Sequence, residues 1–303
     1  MSNLLECCHK YNIYISKIKY FNSYIIIYSG NKLYFVSKLE LINSELMEYF
    51  KNIDYNYFLS LIGIYDNFYL YSYCEEIKIN EQKKAEKFIS ALGELHKKSM
   101  SDEIVTIDDI TVLYQSIDRK IKDLEKYYFD LQNRIEEDSF LKIDFYFLLK
   151  NISIFYKSLY LSMNKIVRWY ENHSLSIRKG YILHNSSLNN FCVSYDSSYF
   201  FDFSLCKKDL LIYDFVEFYR ENALNVDMFS IVSSYQKYIC FSDEEWDLIY
   251  SLILIPNKID FSYSVYDNVL CIRKEIDYLE KTFSFMSKKD EENQKTNEDE
   301  FKE

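Results

Sequence analysis

A chain of 303 residues that is 49% hydrophobic and 27% charged can bury a sizeable core, as two compact units or one large two-lobed one. Its formal net charge of −11 argues against nucleic acid as a partner, because contacts to phosphate need a cationic surface. No apolar run approaches the roughly 20 residues that cross a bilayer, and Met1-Ser2-Asn3-Leu4-Leu5-Glu6 lacks the basic-then-apolar layout of a signal peptide, so cytoplasmic synthesis is expected.

Residues 1–76 read as a β-rich lobe. Asn12 to Tyr20 and Ser23 to Tyr28 are rich in Ile and Tyr and flank a turn at Asn22; Ser29-Gly30-Asn31 turns into a strand from Leu33 to Leu39. A short helix, Ile42 to Phe50, precedes a second apolar pair, Tyr57 to Ile64 and Asn67 to Cys74, around Tyr65-Asp66. With only four Gly in the chain, backbone positions of positive φ fall mostly to Asn or Asp. The 31 Tyr match a drift towards AT-rich codons, so a tyrosine by itself marks no binding surface.

From residue 80 the apolar period changes from two to 3.6. Asn80 caps a helix with the stripe Ala85, Phe88, Ile89, Leu92 and Leu95. Two long helices follow, one carrying Ile110 to Ile135 and the next Phe145 to Tyr170. The helical period stops between Tyr181 and Phe203, where short apolar segments flank a turn at Tyr195-Asp196-Ser197-Ser198. Ser242-Asp243-Glu244-Glu245 has capping-box spacing for a helix stopped by Pro256, and a last helix holds Val265 to Phe283. The stretch 287–303 is charged and nearly without apolar residues, which predicts a disordered acidic tail dispensable for folding. The seven Cys show no C-x-x-C spacing and the four His offer little for zinc, so reduced structural thiols are expected. A small antiparallel β lobe, then a larger, mainly helical lobe over 77–286 interrupted by a hairpin, is an α+β, two-lobed protein-kinase-like order of elements, with a hinge near Cys74 to Asn80.

Several segments carry a family resemblance. Ala91-Leu92-Gly93-Glu94-Leu95-His96 resembles the A-L-A-x-L-H end of the first helix after the hinge in the aminoglycoside/choline phosphotransferase superfamily. Ile182-Leu183-His184-Asn185-Ser186-Ser187-Leu188-Asn189-Asn190-Phe191 resembles its catalytic loop, H-G-D-x-x-x-x-N. Phe200-Phe201-Asp202-Phe203 is similar to the metal-binding I-D-F strand end, and Ile212-Tyr213-Asp214-Phe215 to the L-Y-D-L helix start. Tyr238, Phe241-Ser242-Asp243-Glu244-Glu245 and Ile255-Pro256-Asn257-Lys258 resemble a run in the CotS-type spore-coat branch.

The resemblance implies a nucleotide-phosphate lysine at Lys38, with Glu45 or Glu48 to hold it, and magnesium ligands at Asn190 and Asp202, hence Mg-ATP as cofactor. Asp214, at a helix start, reads as a cap and loop brace. Two departures stand out. Asn190 lies one residue closer to His184 than the pattern places it, and Asn185 and Ser186 stand where the catalytic Asp is expected. Neither accepts a proton as a carboxylate does, a loss of about 10²–10⁴-fold in rate. The branch and the missing Asp together imply a pseudokinase with a structural or assembly role in the spore coat and coat proteins as partners. The alternatives are a small-molecule phosphotransferase of the aminoglycoside, choline or sugar kinase type, and a regulator that binds Mg-ATP without transfer.

Overall fold

The computed structural model describes residues 2–21, 24–137 and 142–300; the expected turn at Asn22 and the last three residues lie outside the described residues. Contacts divide the chain into one unit of Met1–Met100, Lys179–Asp214 and Ser233–Ile239 and another of Ser101–Arg178, Phe215–Val232 and Cys240–Glu303. The first unit therefore holds the whole expected β lobe together with the catalytic-loop segment.

Helix α1 (Ser2–Lys10) opens the first unit, followed by β1 (Lys17–Tyr20), β2 (Tyr24–Ser29), β3 (Lys32–Ser37), α2 (Ser44–Asn52), β4 (Leu61–Tyr65), β5 (Phe68–Tyr73) and α3 (Glu81–Ser99). The strands form an antiparallel sheet in the order β1-β2-β3-β5-β4. Leu4 and Cys8 of α1 pack with Ile13, Ile27, Val36 and Leu70, which covers one face of this sheet. The sequence reading missed α1, although Leu4, Cys7 and Cys8 have helical spacing and are all buried. Turn chemistry follows composition: Asn12, Asp54 and Asp66 take positive φ beside Gly30. At Gly63 the ring of Tyr11 sits 2.2 Å from where a Cβ would stand, so only glycine fits this bulge in β4. Asn43 caps α2 by accepting from the Leu46 N–H at 2.7 Å, and Asn80 caps α3 from Lys83 at 2.8 Å. All five expected stripe residues of α3 are fully buried.

Strand β6 (Ser101–Ile104) leads into the long helices α4 (Ile107–Glu137) and α5 (Ile143–Asn172). The catalytic segment comprises β7 (Ser176–Ile182), a 3-10 turn at Leu188–Asn190, β8 (Phe191–Val193), β9 (Ser198–Phe200) and β10 (Lys207–Leu210). Strands β8 and β9 form the expected hairpin, while β10-β7-β6 form a separate sheet. The sequence reading missed β6 and β10, which are short charged edges without apolar alternation. Helices α6 (Ile212–Asn222), α7 (Met228–Gln236), α8 (Asp243–Leu254) and α9 (Val265–Glu300) complete the chain.

In the second unit α5 packs against α4, α8 and α9. Buried Ser158 and Ser162 let α5 approach α8 closely, donating to the carbonyls of Leu254 and Ser251. The capping box at Ser242 and Glu245 is complete. Helix α9 continues to Glu300, across most of the stretch read from composition as a disordered tail. Its Lys, Glu and Gln are good helix formers and no Gly or Pro interrupts them, so a helix begun by the apolar stripe propagates. No described helix is long and apolar enough to cross a membrane.

Candidate functional site

The catalytic-loop segment is held from behind by a fully buried polar network. Asp214, at the start of α6, accepts from the backbone N–H of Leu183 at 2.7 Å and of His184 at 2.9 Å. A carboxylate only accepts, so His96 Nε2, 3.2 Å away, donates the third bond. His96 Nδ1 in turn meets the Tyr235 hydroxyl at 2.7 Å. His96 and Asp214 thus lock the loop together, and Asp214 is the brace its place at a helix start suggested. The bond to Asp214 holds His184 at φ 51, a conformation rare outside glycine, Asn and Asp.

In front of this brace the expected ligands are spent on backbone. Asn190 Nδ2 donates to the carbonyls of Asn185 and Asp202, each at 3.2 Å, and its Oδ1 accepts from the Asp202 N–H at 2.9 Å. The structure therefore brings Asn190 and Asp202 together. Asp202 Oδ1 accepts from the Ser204 N–H at 2.8 Å, closing a turn and leaving one carboxylate oxygen. Ser186, at the position of the catalytic Asp, is fully buried, and its hydroxyl has no partner among the described residues. Asn185 is half-buried and contributes its carbonyl to Asn190; His184 Nε2 lies 3.9 Å from Asp209.

Strand β3 decides what faces this loop. Alternation sends Val36 into the core under α1, and Leu33, Phe35 and Ser37 to the other face. Phe35 packs 5.7 Å from Phe201, the residue before Asp202. No lysine of β3 stands on that face, although Lys17 and Lys19 of β1 pair with Tyr28 and Ile26 on it. Lys38 follows the end of β3 and is exposed, and Glu45 and Glu48 lie on the exposed side of α2, away from its buried Leu46, Met47 and Phe50. No ion pair among the described residues joins Lys38 to either glutamate. The inward side of α2 meets the loop through rings instead: Phe50 lies 5.2 Å from Phe203.

Aromatic rings fill the space bounded by the inner sheet face, the hinge and Asp202. Phe21 stacks on Tyr24 at 4.6 Å, Tyr24 on Phe35 at 4.6 Å, and Phe35 lies 6.1 Å from Tyr73. Phe201 joins from the other side, 6.4 Å from Tyr73 and 5.5 Å from Tyr199. Burial pushes the Tyr24, Tyr73 and Tyr199 phenols up. The hinge backbone is occupied too: the Cys74 carbonyl accepts from the Tyr199 hydroxyl at 2.8 Å, and the Ile77 N–H donates to Val193 at 2.9 Å. A wide cavity of about 1120 Å³ touches the hinge at Cys74–Lys78, but none of the loop residues or Phe35, Tyr24 and Phe201 lines it. The sequence reading set the tyrosines among these rings down to codon drift. The one available signal was the period-two series Tyr69, Tyr71, Tyr73 along β5, which marks a ring-covered face.

Among solved structures, an aminoglycoside phosphotransferase from Alicyclobacillus acidocaldarius is similar over 90% of this chain and 91% of its own, with a TM-score of 0.67 and 10% identity. The fold is that of the aminoglycoside phosphotransferases. A spectinomycin phosphotransferase is similar in its AMP-bound complex (TM-score 0.56, 13% identity, 93% of this chain and 98% of that one). Its complex with ADP and spectinomycin gives a TM-score of 0.54 at 13% identity, covering 93% of this chain and 97% of that one. No protein-family model and no curated protein sequence matches the chain.

A nucleotide and its magnesium fit the residues present poorly. Magnesium needs oxygen ligands at near-octahedral positions, and here one free carboxylate oxygen of Asp202 stands beside an amide already engaged at both ends. The inner face of β3 offers the phosphates no cation, and Phe35 on it packs against Tyr24 and Phe201.

Proposed function

We propose that this chain is a kinase-fold protein that does not transfer phosphate and acts through its surfaces, as a structural or assembly component of a spore coat. The observation that carries the loss of transfer is Phe35. It stands on the inner face of β3, where phosphate binding needs a cation, and its ring completes a stack from Phe21 to Phe201. Ser186 adds a second defect, since a buried hydroxyl cannot take a proton from a substrate alcohol. The coat assignment rests on the resemblance of Tyr238 to Lys258 to the CotS-type run, and coat proteins are the partners it implies.

Two measurements test this reading. Mg-ATP at millimolar concentration is expected to leave the melting temperature unchanged, whereas a ligand at about 100 times its Kd would stabilise by about 2.7 kcal/mol. ATP turnover is expected to be absent with aminoglycosides, choline and sugars. Turnover of about 1–100 per second would establish the alternative, a Mg-ATP-dependent small-molecule phosphotransferase. Stabilisation without turnover would make the chain a nucleotide-binding regulator. Expression confined to sporulation supports the coat role, and a vegetative pattern removes it.

A further inference from the structure

The second unit contains a cationic recess that the proposed function does not use. One face of α4 presents Ser116, Arg119, Lys120, Asp123, Leu124 and Tyr127. Arg220 of α6 and Pro256, Asn257 and Lys258 after α8 complete a cavity of about 390 Å³, within the range of small-molecule sites. Four cations thus meet one lining carboxylate, Asp123, in a chain whose net charge is −11. Some other cations of this unit sit on acids: Lys165 and Arg168 on Asp247, each at 3.0 Å, and Lys122 on Asp118 at 2.9 Å. Arg119, Lys120, Arg220 and Lys258 have no such ion pair among the described residues.

Each cation is placed for a ligand in a different way. Arg220 is fixed by neutral acceptors, the carbonyls of Leu252 at 3.0 Å and Ile255 at 2.9 Å and Asn257 Oδ1 at 3.0 Å. Its guanidinium lies 5.8 Å over the Tyr278 ring. Glu275, the nearby buried acid, is engaged by the Asn257 N–H at 2.7 Å and Nδ2 at 2.9 Å. Lys258 lies 4.4 Å over the Tyr127 ring, which gives the recess an aromatic wall. Burial first, and the neighbouring Arg220 charge second, hold the Lys120 ammonium below its ordinary value, although the residue is exposed.

We propose that this recess binds a phosphate-class oxyanion, free or as a monoester on a small apolar group. Cations converging from α4, α6 and the loop after α8 match a tetrahedral, doubly charged ion; a single carboxylate would leave most of them uncompensated. Leu124, Tyr127 and Pro256 supply the apolar wall for a group esterified to it.

Calorimetric titration of the full chain with inorganic phosphate at low ionic strength tests this. Saturable binding with a Kd of about 1 mM or tighter is expected. Lys120→Gln and Lys258→Gln should each weaken it about fivefold or more, since each removes a charge-assisted contact. Lys122→Gln, on the other side of α4, and Phe35→Ala, in the first unit, should leave it unchanged, so this result stands or falls apart from the nucleotide question. Tighter binding of phenyl phosphate than of phosphate assigns the ligand as a monoester, and equal binding assigns the free ion. No saturable heat up to about 50 mM phosphate, binding insensitive to both lysine variants, or equal affinity for acetate would overturn the proposal.

Discussion

The two sides of the catalytic-loop segment have fared differently. Behind it, Asp214, His96 and Tyr235 keep a closed polar network that fixes the backbone of Leu183 and His184. In front, where the resemblance expects transfer, buried Ser186 stands at the expected base position, the inner face of β3 carries Phe35, and rings cluster beside Asp202. The difference separates two requirements that one loop serves. A buried carboxylate that holds the fold cannot be lost cheaply, because unpaired backbone N–H groups would remain inside. Side chains aimed at a nucleotide hold nothing else in place, and under the proposed loss of transfer apolar packing there would add stability.

Breaking the rear network should have the largest effect. Asp214→Ala leaves His96 and two backbone N–H groups without their acceptor and is expected to destabilise the chain by about 3–5 kcal/mol in urea unfolding. A loss under about 1 kcal/mol would mean that the loop is held otherwise. Next comes the front. Phe35→Ala removes the centre of the ring stack and should cost about 3 kcal/mol by its cavity. The same variant sharpens the comparison, because a cavity that then takes up adenine would show that the rings alone exclude the base.

Alkali should act on the buried tyrosines of both units, those of the ring-lined side among them. Burial pushes the Tyr71 phenol up to about 12, while the unfolded chain releases that proton near 10. The folded state thus binds more protons in that window, so stability is constant below pH 10 and falls as pH rises towards 12. Phenolate absorbance followed alongside unfolding checks this: ionisation of the buried tyrosines should coincide with loss of structure, not precede it. Tyr199→Phe removes only the hydroxyl that serves the Cys74 carbonyl and should cost about 1 kcal/mol. The smallest effect is expected from Lys38→Ala, within about 0.5 kcal/mol of the parent, since Lys38 is exposed and off the inner face. A larger loss would return Lys38 to the site.

The order of elements was legible in the sequence because it rests on local physics. Asn80 and Ser242 announce their helices through caps, Ala85 to Leu95 mark a buried stripe by spacing, and the motif residues His96, Asn190, Asp202 and Asp214 lie in an ordered series. Charged edge strands such as Lys207–Leu210 carry no periodic signal and came only from pairing with β7. Lys38 shows the limit most clearly. Taking Val36-Ser37-Lys38 for the lysine pattern assumes that the outer two residues share a strand face, yet β3 ends at Ser37, Val36 packs under α1 and Lys38 is exposed beyond the strand. A one-residue shift along a strand exchanges core for site, since side chains alternate with a period of two. Composition likewise could not tell a codon-driven tyrosine from one that closes a cleft. Whether Tyr24, Tyr73 and Tyr199 meet Phe35 and Phe201 depends on strands far apart in the chain, and tertiary structure alone decided it.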